Sequence, residues 1–307
     1  MNLRVAPTAA GRLPNFLLIG AMKAGTTSLY HYLQGHPQVF VPPYKAPEFF
    51  VAESNWRRGV DWYRRQFAGA RADAIAVGEA SNSYAKYPQF DGVPERIAAH
   101  IPDVRLIYVV RDPVARIRSH YQTRLAEGTE TLPIEEAVFQ NPTYLDYSRY
   151  GLQIARYLDY FPRQQMLVIT AEDLRHNRRA TMRNVYEFLG VDATILPGEL
   201  EREFYQTKDR AVRSPIPLWL RKSLKKHLPW MKRFKELENN LLGKIKRLRR
   251  QANHDQEAAA TCLVSDALRE RIVEQLRDDV LCLRNYMTAN FDGWGILGEK
   301  CPANGPL

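Results

Sequence analysis

The chain has little cysteine and no long hydrophobic run. These two features argue against a disulfide-rich, zinc-binding or membrane-spanning protein. Its 307 residues include only 3 cysteines, Cys262, Cys282 and Cys301. They are late, widely spaced and odd in number, which fits neither a disulfide framework nor a zinc pattern, although one Cys282–Cys301 bridge stays open. No apolar stretch approaches the ~18–20 residues of a membrane-spanning helix, and residues 1–14 lack the apolar core of a signal peptide. We therefore expect a cytoplasmic protein.

Acidic residues are scarcer than basic ones, and the imbalance is local. The chain has 34 Asp and Glu against 44 Lys and Arg, a formal net charge of +10. Residues 221–250 contain 12 Lys and Arg and 2 Asp and Glu, so the entire excess lies there. Apolar residues recur there at helical spacing, which predicts a basic amphipathic helical insertion over 217–260. Such helices suit an anionic membrane surface or an acidic polymer; the alternative is an insertion that packs its apolar face on the core.

The sequence pattern indicates neither a metal ion nor a nucleic acid as a partner. The 7 histidines have no metal-ligand spacing, so we predict no metal site. The basic stretch has no reader motif and few interleaved aromatic residues, so we expect no nucleic acid.

Strand-like and helix-like segments alternate along most of the chain. The predicted strands cover 15–20, 38–41, 74–79, 105–110 and 166–170, and the predicted helices cover 26–34, 93–100, 114–126, 151–160 and 178–189. This order predicts an α/β fold, in which a central parallel sheet has helices on both faces, as in P-loop-like three-layer proteins. The apolar content of 45% supports one domain over 1–307, with the basic helical region followed by C-terminal helices at 262–297 that return to the core.

A loop of phosphate-binding composition follows the first predicted strand, and we call it the 20–28 loop. Its sequence is Gly20-Ala21-Met22-Lys23-Ala24-Gly25-Thr26-Thr27-Ser28. The glycines permit a tight turn, the following helix offers unpaired N–H groups, and Lys23 adds a mobile positive charge. In the usual nucleoside triphosphate loop the lysine follows the second glycine, whereas Lys23 precedes Gly25. The alternative is a plain strand-to-helix turn with a solvated lysine.

A second anion-binding segment follows the fourth predicted strand. Arg111 and Asp112 come directly after the apolar residues 106–110, and Pro113 is typical of a helix start. Ser119, about two helical turns later, faces the edge of the sheet where open α/β proteins bind ligands. Arg111 and Ser119 are therefore predicted to hold a second phosphate. The alternative makes Arg111 and Asp112 an ion pair at the helix start and Ser119 a surface residue.

Together these segments resemble the sulfotransferase superfamily that uses 3′-phosphoadenosine 5′-phosphosulfate (PAPS). Other family-like stretches lie at 39–50, 77–81, 172–174, 188–191 and 281–294. The sequence looks most like the carbohydrate branch, with heparan sulfate sulfotransferases and their bacterial relatives. The resemblance covers residues 15–215 and 262–297.

The resemblance assigns roles to the donor-binding residues. It implies that the 5′-phosphosulfate is bound by Lys23, Ala24, Gly25, Thr26, Thr27 and Ser28. It further implies that Arg111 and Ser119 bind the 3′-phosphate and that Arg213 belongs to a basic loop over the cofactor. Only one phosphate leaves, so no metal is expected to be required.

The acceptor side departs from the family pattern. The family often has Lys-Glu-x-His-Phe-Phe, whereas this chain has Lys45-Ala46-Pro47-Glu48-Phe49-Phe50. We predict that Lys45 and Glu48 contact the acceptor. Glu79 matches the family glutamate that takes the proton of the acceptor hydroxyl, although Ala80 replaces the lysine that often follows it. As a base, Glu79 would need a pKa raised by desolvation; the alternative is a strand-end carboxylate paired with Lys or Arg.

The resemblance implies direct in-line transfer of a sulfuryl group from PAPS to a hydroxyl or amine of a carbohydrate or glycolipid. The basic residues 221–250 would place the enzyme peripherally at a membrane surface. Two other functions stay open: a P-loop-type kinase using ATP and magnesium, and a non-catalytic protein that binds anionic glycans or membranes.

Overall fold

A computed structural model of the chain describes residues 11–201 and 263–297. There, five parallel strands form one sheet in the order β2-β3-β1-β4-β5. The strands are β1 (Phe16–Gly20), β2 (Val39–Phe40), β3 (Ala76–Ala80), β4 (Arg105–Val110) and β5 (Met166–Thr170). All five were predicted from sequence, with small differences at their ends.

Helices connect the strands and cover the sheet. They are α1 (Thr26–Gln34), α2 (Gly59–Arg65), α3 (Val93–His100), α4 (Pro113–Glu127), α5 (Ile134–Gln140), α6 (Thr143–Asp146), α7 (Tyr150–Leu158), α8 (Ala171–His176), α9 (Arg178–Leu189) and α10 (Asp266–Arg284). The predictions of α1, α3, α4, α7 and α9 are confirmed. Four helices, α2, α5, α6 and α8, were not predicted, because with 4 to 7 residues each they are too short for a clear helical period.

The centre of the sheet is buried on both faces. Every residue of β1 and β3 is buried, as expected for parallel strands between two layers of helices. Gly78 allows these strands to approach closely, because a Cβ at this position would lie 2.4 Å from the carbonyl oxygen of Phe16. The same pairing places Glu79 level with Leu17, below the end of β1 at Gly20.

Helix α10 brings the C-terminal part of the chain back to the core. The Asp279 carboxylate accepts hydrogen bonds from the backbone N–H groups of Gly151 and Leu152, at 2.9 and 2.8 Å, at the start of α7. Val280 and Leu283 join the same hydrophobic cluster as the strands. In the ranges 11–201 and 263–297, no helix is long and apolar enough to cross a bilayer.

Several predicted features lie outside the described residues. They are the basic insertion at 217–260, Arg213, Cys262 and Cys301, the last being the partner considered for Cys282.

Candidate active site

A crevice of about 1010 Å³ opens at the carboxyl edge of the sheet. The 20–28 loop follows β1, and Arg111 follows the neighbouring strand β4, so both reach the same edge. The crevice is lined by residues 22–28, Tyr32, Asn82, Arg111, Arg118, Ser119, His120, Thr123, Arg124, Glu127, Thr129, Ala171, Glu172, Leu174, Arg175, His176 and Arg178. Ligands of open α/β sheets bind in such a place.

The 20–28 loop has the backbone of an anion-binding turn. Lys23 and Gly25 have φ values of 73° and 90°, in the left-handed region. Gly25 precedes the first residue of α1 without a side-chain cap, so the first N–H groups of the helix have no intrahelical partner. Thr26, Thr27 and Ser28 carry these N–H groups and line the crevice. The loop therefore offers backbone donors, hydroxyls and the positive end of a helix to one anionic group.

Arg111 and Ser119 lie in the same crevice as the loop. The Arg111 Nη1 atom donates to the carbonyl oxygen of Lys23 at 3.0 Å, and Ser119, on α4, is 7% exposed. Asp112 instead caps α4, since its Oδ1 atom accepts from the Val114 N–H at 2.9 Å. Ser119 is therefore buried, and is not the surface residue of the alternative interpretation. Arg111 and Ser119 are placed to share a ligand with the 20–28 loop.

Lys45 reaches the same loop from the segment that follows β2. Its Nζ atom donates to Thr26 Oγ1 at 3.2 Å and to Thr27 Oγ1 at 2.8 Å. Burial lowers the pKa of Lys45 to about 8. Lys45 was predicted to contact the acceptor, whereas its amine lies at the predicted phosphate site.

Glu48 lies in the same segment as Lys45 and is half-buried. Its Oε1 atom accepts from Ser83 Oγ at 2.5 Å, and its Oε2 atom accepts from Ser54 Oγ at 3.3 Å. Its φ of 49° is in the left-handed region, which residues other than glycine seldom adopt.

Glu79 lies beneath the crevice and is 1% exposed. Its Oε1 atom accepts from the Tyr84 hydroxyl at 2.6 Å and from the Tyr63 hydroxyl at 3.2 Å. Burial raises the pKa of Glu79 to about 7. Within residues 11–201 and 263–297, its partners are therefore hydroxyl groups, and not the Lys or Arg of the alternative interpretation. Neither tyrosine was predicted, because no sequence motif connects them with Glu79.

Comparison with known proteins agrees with this geometry. A family model described as a sulfotransferase domain matches residues 13–246. The chain belongs to the sulfotransferase family. A crystal structure of a sulfotransferase from Alicyclobacillus acidocaldarius has a TM-score of 0.65 and 25% sequence identity, and the match covers 92% of this chain and 99% of that chain. The predicted family and fold class are confirmed.

Curated relatives belong to the heparan sulfate branch of the family. The chain is 32% identical over 201 residues to the human bifunctional heparan sulfate N-deacetylase/N-sulfotransferase 2, covering 59% of this chain and 22% of that protein. It is also 32% identical over 208 residues to the mouse heparan sulfate glucosamine 3-O-sulfotransferase 3B1, covering 64% of this chain and 50% of that protein. The chain thus spans half or less of the length of these relatives.

This sulfotransferase family member has a strongly cationic crevice. Besides Lys23 and Arg111, the lining includes Arg118, Arg124, Arg175 and Arg178, against the carboxylates of Glu127 and Glu172. His120 adds no charge at neutral pH, because burial and the cations nearby, first Arg116 and Arg124, lower its pKa to about 2. Most of these residues were not singled out from sequence, since only their positions on α4, α8 and α9 bring them together. Such a crevice favours anionic ligands.

Proposed function

We propose that this protein transfers a sulfuryl group from PAPS to a hydroxyl or amine of a carbohydrate or glycolipid acceptor. One observation carries the proposal: the 20–28 loop and the Arg111–Ser119 pair, the two predicted anion sites, line a single crevice. PAPS has anionic groups at both ends of one ribose, the 5′-phosphosulfate and the 3′-phosphate, so it matches two such sites. Membership of the sulfotransferase family supports this assignment.

Two lysines are available to the transferred group. Lys23 belongs to the 20–28 loop, and the Lys45 amine contacts the hydroxyls of Thr26 and Thr27. In an in-line transfer, negative charge develops on the oxygen that bridges phosphorus and sulfur. Cations fixed beside that oxygen stabilise the transition state more than the ground state. We assign this role first to Lys23 and then to Lys45.

The acceptor class is inferred from the relatives and the charge of the crevice. The relatives named above are heparan sulfate sulfotransferases, and the cationic crevice suits an acidic sugar polymer or an anionic glycolipid. The peripheral membrane role of residues 221–250, the contribution of Arg213 and the cytoplasmic location stay predictions.

Nucleotide binding tests the donor. In a thermal-shift titration we expect strong stabilisation by 3′-phosphoadenosine 5′-phosphate (PAP), because a ligand at 100 times its Kd stabilises a protein by about 2.7 kcal/mol. The control ligand is adenosine 2′,5′-bisphosphate, which has the same charge as PAP but carries one phosphate at the 2′ position. It should stabilise the protein less than PAP does. A preference for ATP with magnesium over PAP would contradict the proposal and favour the kinase.

The pH dependence of PAP binding tests Lys45. Its lowered pKa of about 8 means that the free protein loses this positive charge as the pH rises through 8. A bound phosphate favours the charged form, so PAP affinity should be greatest below pH 8 and fall above it, by at most about tenfold per pH unit for one proton. Isothermal titration calorimetry between pH 6.5 and 9.5 measures this.

The matched variant is Lys45→Arg, because arginine keeps its charge over the whole range. Its PAP affinity should fall much less above pH 8. Equal slopes in the wild type and in Lys45→Arg would show that Lys45 does not bind the nucleotide.

A further inference from the structure

The two candidate carboxylates differ in exposure, since Glu48 is half-buried and Glu79 is 1% exposed. A general base must come within hydrogen-bond reach of the proton that it removes, directly or through one water. Glu79 does not meet this requirement, since it is 1% exposed, its Oε1 atom is occupied by two tyrosines and its Oε2 atom is buried. We propose that Glu48 accepts the proton of the acceptor and that Glu79 is a positioning residue that holds the Glu48 backbone. This inference rests on the reaction proposed above.

Glu48 lies close to the predicted position of the sulfuryl group. It follows Lys45 by three residues, a span of at most about 10 Å, and the Lys45 amine touches the hydroxyls of the 20–28 loop. Its carboxylate is held by Ser83, the neighbour of the crevice residue Asn82. Through Lys45 and Ser83, Glu48 therefore lies next to residues that line the crevice.

Lys86 connects the surroundings of Glu48 with the crevice. Burial lowers the pKa of Lys86, and the negative charge of Glu48 opposes this. The Lys86 amine lies 5.3 Å from the centre of the Tyr147 ring, which stacks at 5.9 Å on the crevice residue His120. The Tyr147 ring thus lies between Lys86 and a residue that lines the crevice.

Glu79 is connected to the backbone on both sides of Phe49. The Tyr84 hydroxyl donates to Glu79 and accepts from the Phe50 N–H at 3.4 Å. Ser81 Oγ accepts from the Glu48 N–H at 3.0 Å, and Ser81 also hydrogen-bonds to Glu79. These bonds hold Glu48 at its left-handed φ of 49°, a conformation that persists only when the surroundings enforce it.

The proposed step is balanced as a single displacement. The acceptor oxygen or nitrogen forms a bond to sulfur while the bond from sulfur to the bridging oxygen breaks. The electron pair of the broken bond stays on the 5′-phosphate of PAP, and the acceptor proton passes to the Glu48 carboxylate. Glu48 then releases the proton to solvent.

Paired amide variants separate the two roles. Glu48→Gln and Glu79→Gln are assayed with PAPS and, as probe acceptor, an unsulfated and partly N-deacetylated heparan backbone polysaccharide, and PAP formation is followed from pH 5 to 9. Glu53→Gln is the matched control, because Glu53 is an exposed glutamate of the same segment. PAP titration checks that each variant keeps the donor site.

We expect Glu48→Gln to reduce kcat about 100-fold or more, the usual contribution of a general base, with PAP affinity within twofold of the wild type. The residual rate of Glu48→Gln should not decline at low pH, because glutamine has no carboxylate whose protonation could stop the reaction. Glu79→Gln should keep that decline, whatever its kcat, and Glu53→Gln should match the wild type.

Two results would overturn the inference: a kcat of Glu48→Gln within threefold of the wild type, or an acid decline that Glu79→Gln loses and Glu48→Gln keeps. A wild-type protein that neither binds PAP nor sulfates the polysaccharide would instead contradict the proposed function itself.

Discussion

Replacing Lys23 with alanine should lower kcat by about 100- to 1,000-fold, the usual cost of removing one group that stabilises charge in the transition state. Lys23 lies in the loop where the 5′-phosphosulfate is proposed to bind, and its charge would meet the negative charge that develops on the bridging oxygen. Lysine and alanine both carry a Cβ, so the strain of the left-handed φ of 73° stays in the variant. The measurement is steady-state PAP formation at saturating PAPS.

A charge control accompanies the Lys23 variant. Arg71→Ala also removes one positive charge, but Arg71 is 67% exposed and pairs with Asp73 away from the lining of the crevice. It should keep wild-type kcat. If Lys23→Ala loses no more than Arg71→Ala, Lys23 does not act in the transfer step.

Replacing Arg111 with alanine should raise the Kd for PAP by about 30-fold or more, which corresponds to the 2 kcal/mol or more that truncating a buried charged partner costs. A guanidinium binds phosphate through two parallel hydrogen bonds, which lysine cannot reproduce. Arg111→Lys should therefore recover only part of the affinity. Isothermal titration calorimetry with PAP measures both variants.

ADP provides the control for Arg111, because it has no 3′-phosphate. Arg111 also donates to the carbonyl oxygen of Lys23 at 3.0 Å, so its removal also affects the 20–28 loop. If Arg111 binds the 3′-phosphate, the ADP affinity of Arg111→Ala should stay within about threefold of the wild type, a difference of less than 1 kcal/mol. Equal losses for PAP and ADP would show that Arg111 acts only through the loop.

The architecture was predictable because its signals are local. Each strand is a short apolar run, and the 20–28 loop and the Arg111–Ser119 segment directly follow strands of the same sheet. Parallel strands carry such segments to one edge, so their meeting in a crevice follows from the order of elements. The short helices α5, α6 and α8 have no comparable signal, because they depend on tertiary packing.

The acceptor side was harder to predict because it depends on long-range placement. The contact between Lys45 and Thr27 is set by the path of the chain after β2, which sequence spacing does not specify. The burial of Glu79 is set by the register of β3 against β1, which places it level with Leu17. Family resemblance identified Lys45, Glu48 and Glu79 as functional candidates. Only the fold separates the half-buried carboxylate of Glu48 from the fully buried one of Glu79.

The most direct test is transfer from PAPS to the unsulfated, partly N-deacetylated heparan backbone by the 307-residue chain. Disaccharide analysis by mass spectrometry would measure added sulfuryl groups, and chromatography would measure PAP. The account predicts that added sulfuryl groups and PAP form in equal amounts, and that both are lost in Lys23→Ala. PAP binding without any sulfation of this polysaccharide would contradict a heparan-type acceptor, and sulfation that persists in Lys23→Ala would contradict the proposed site.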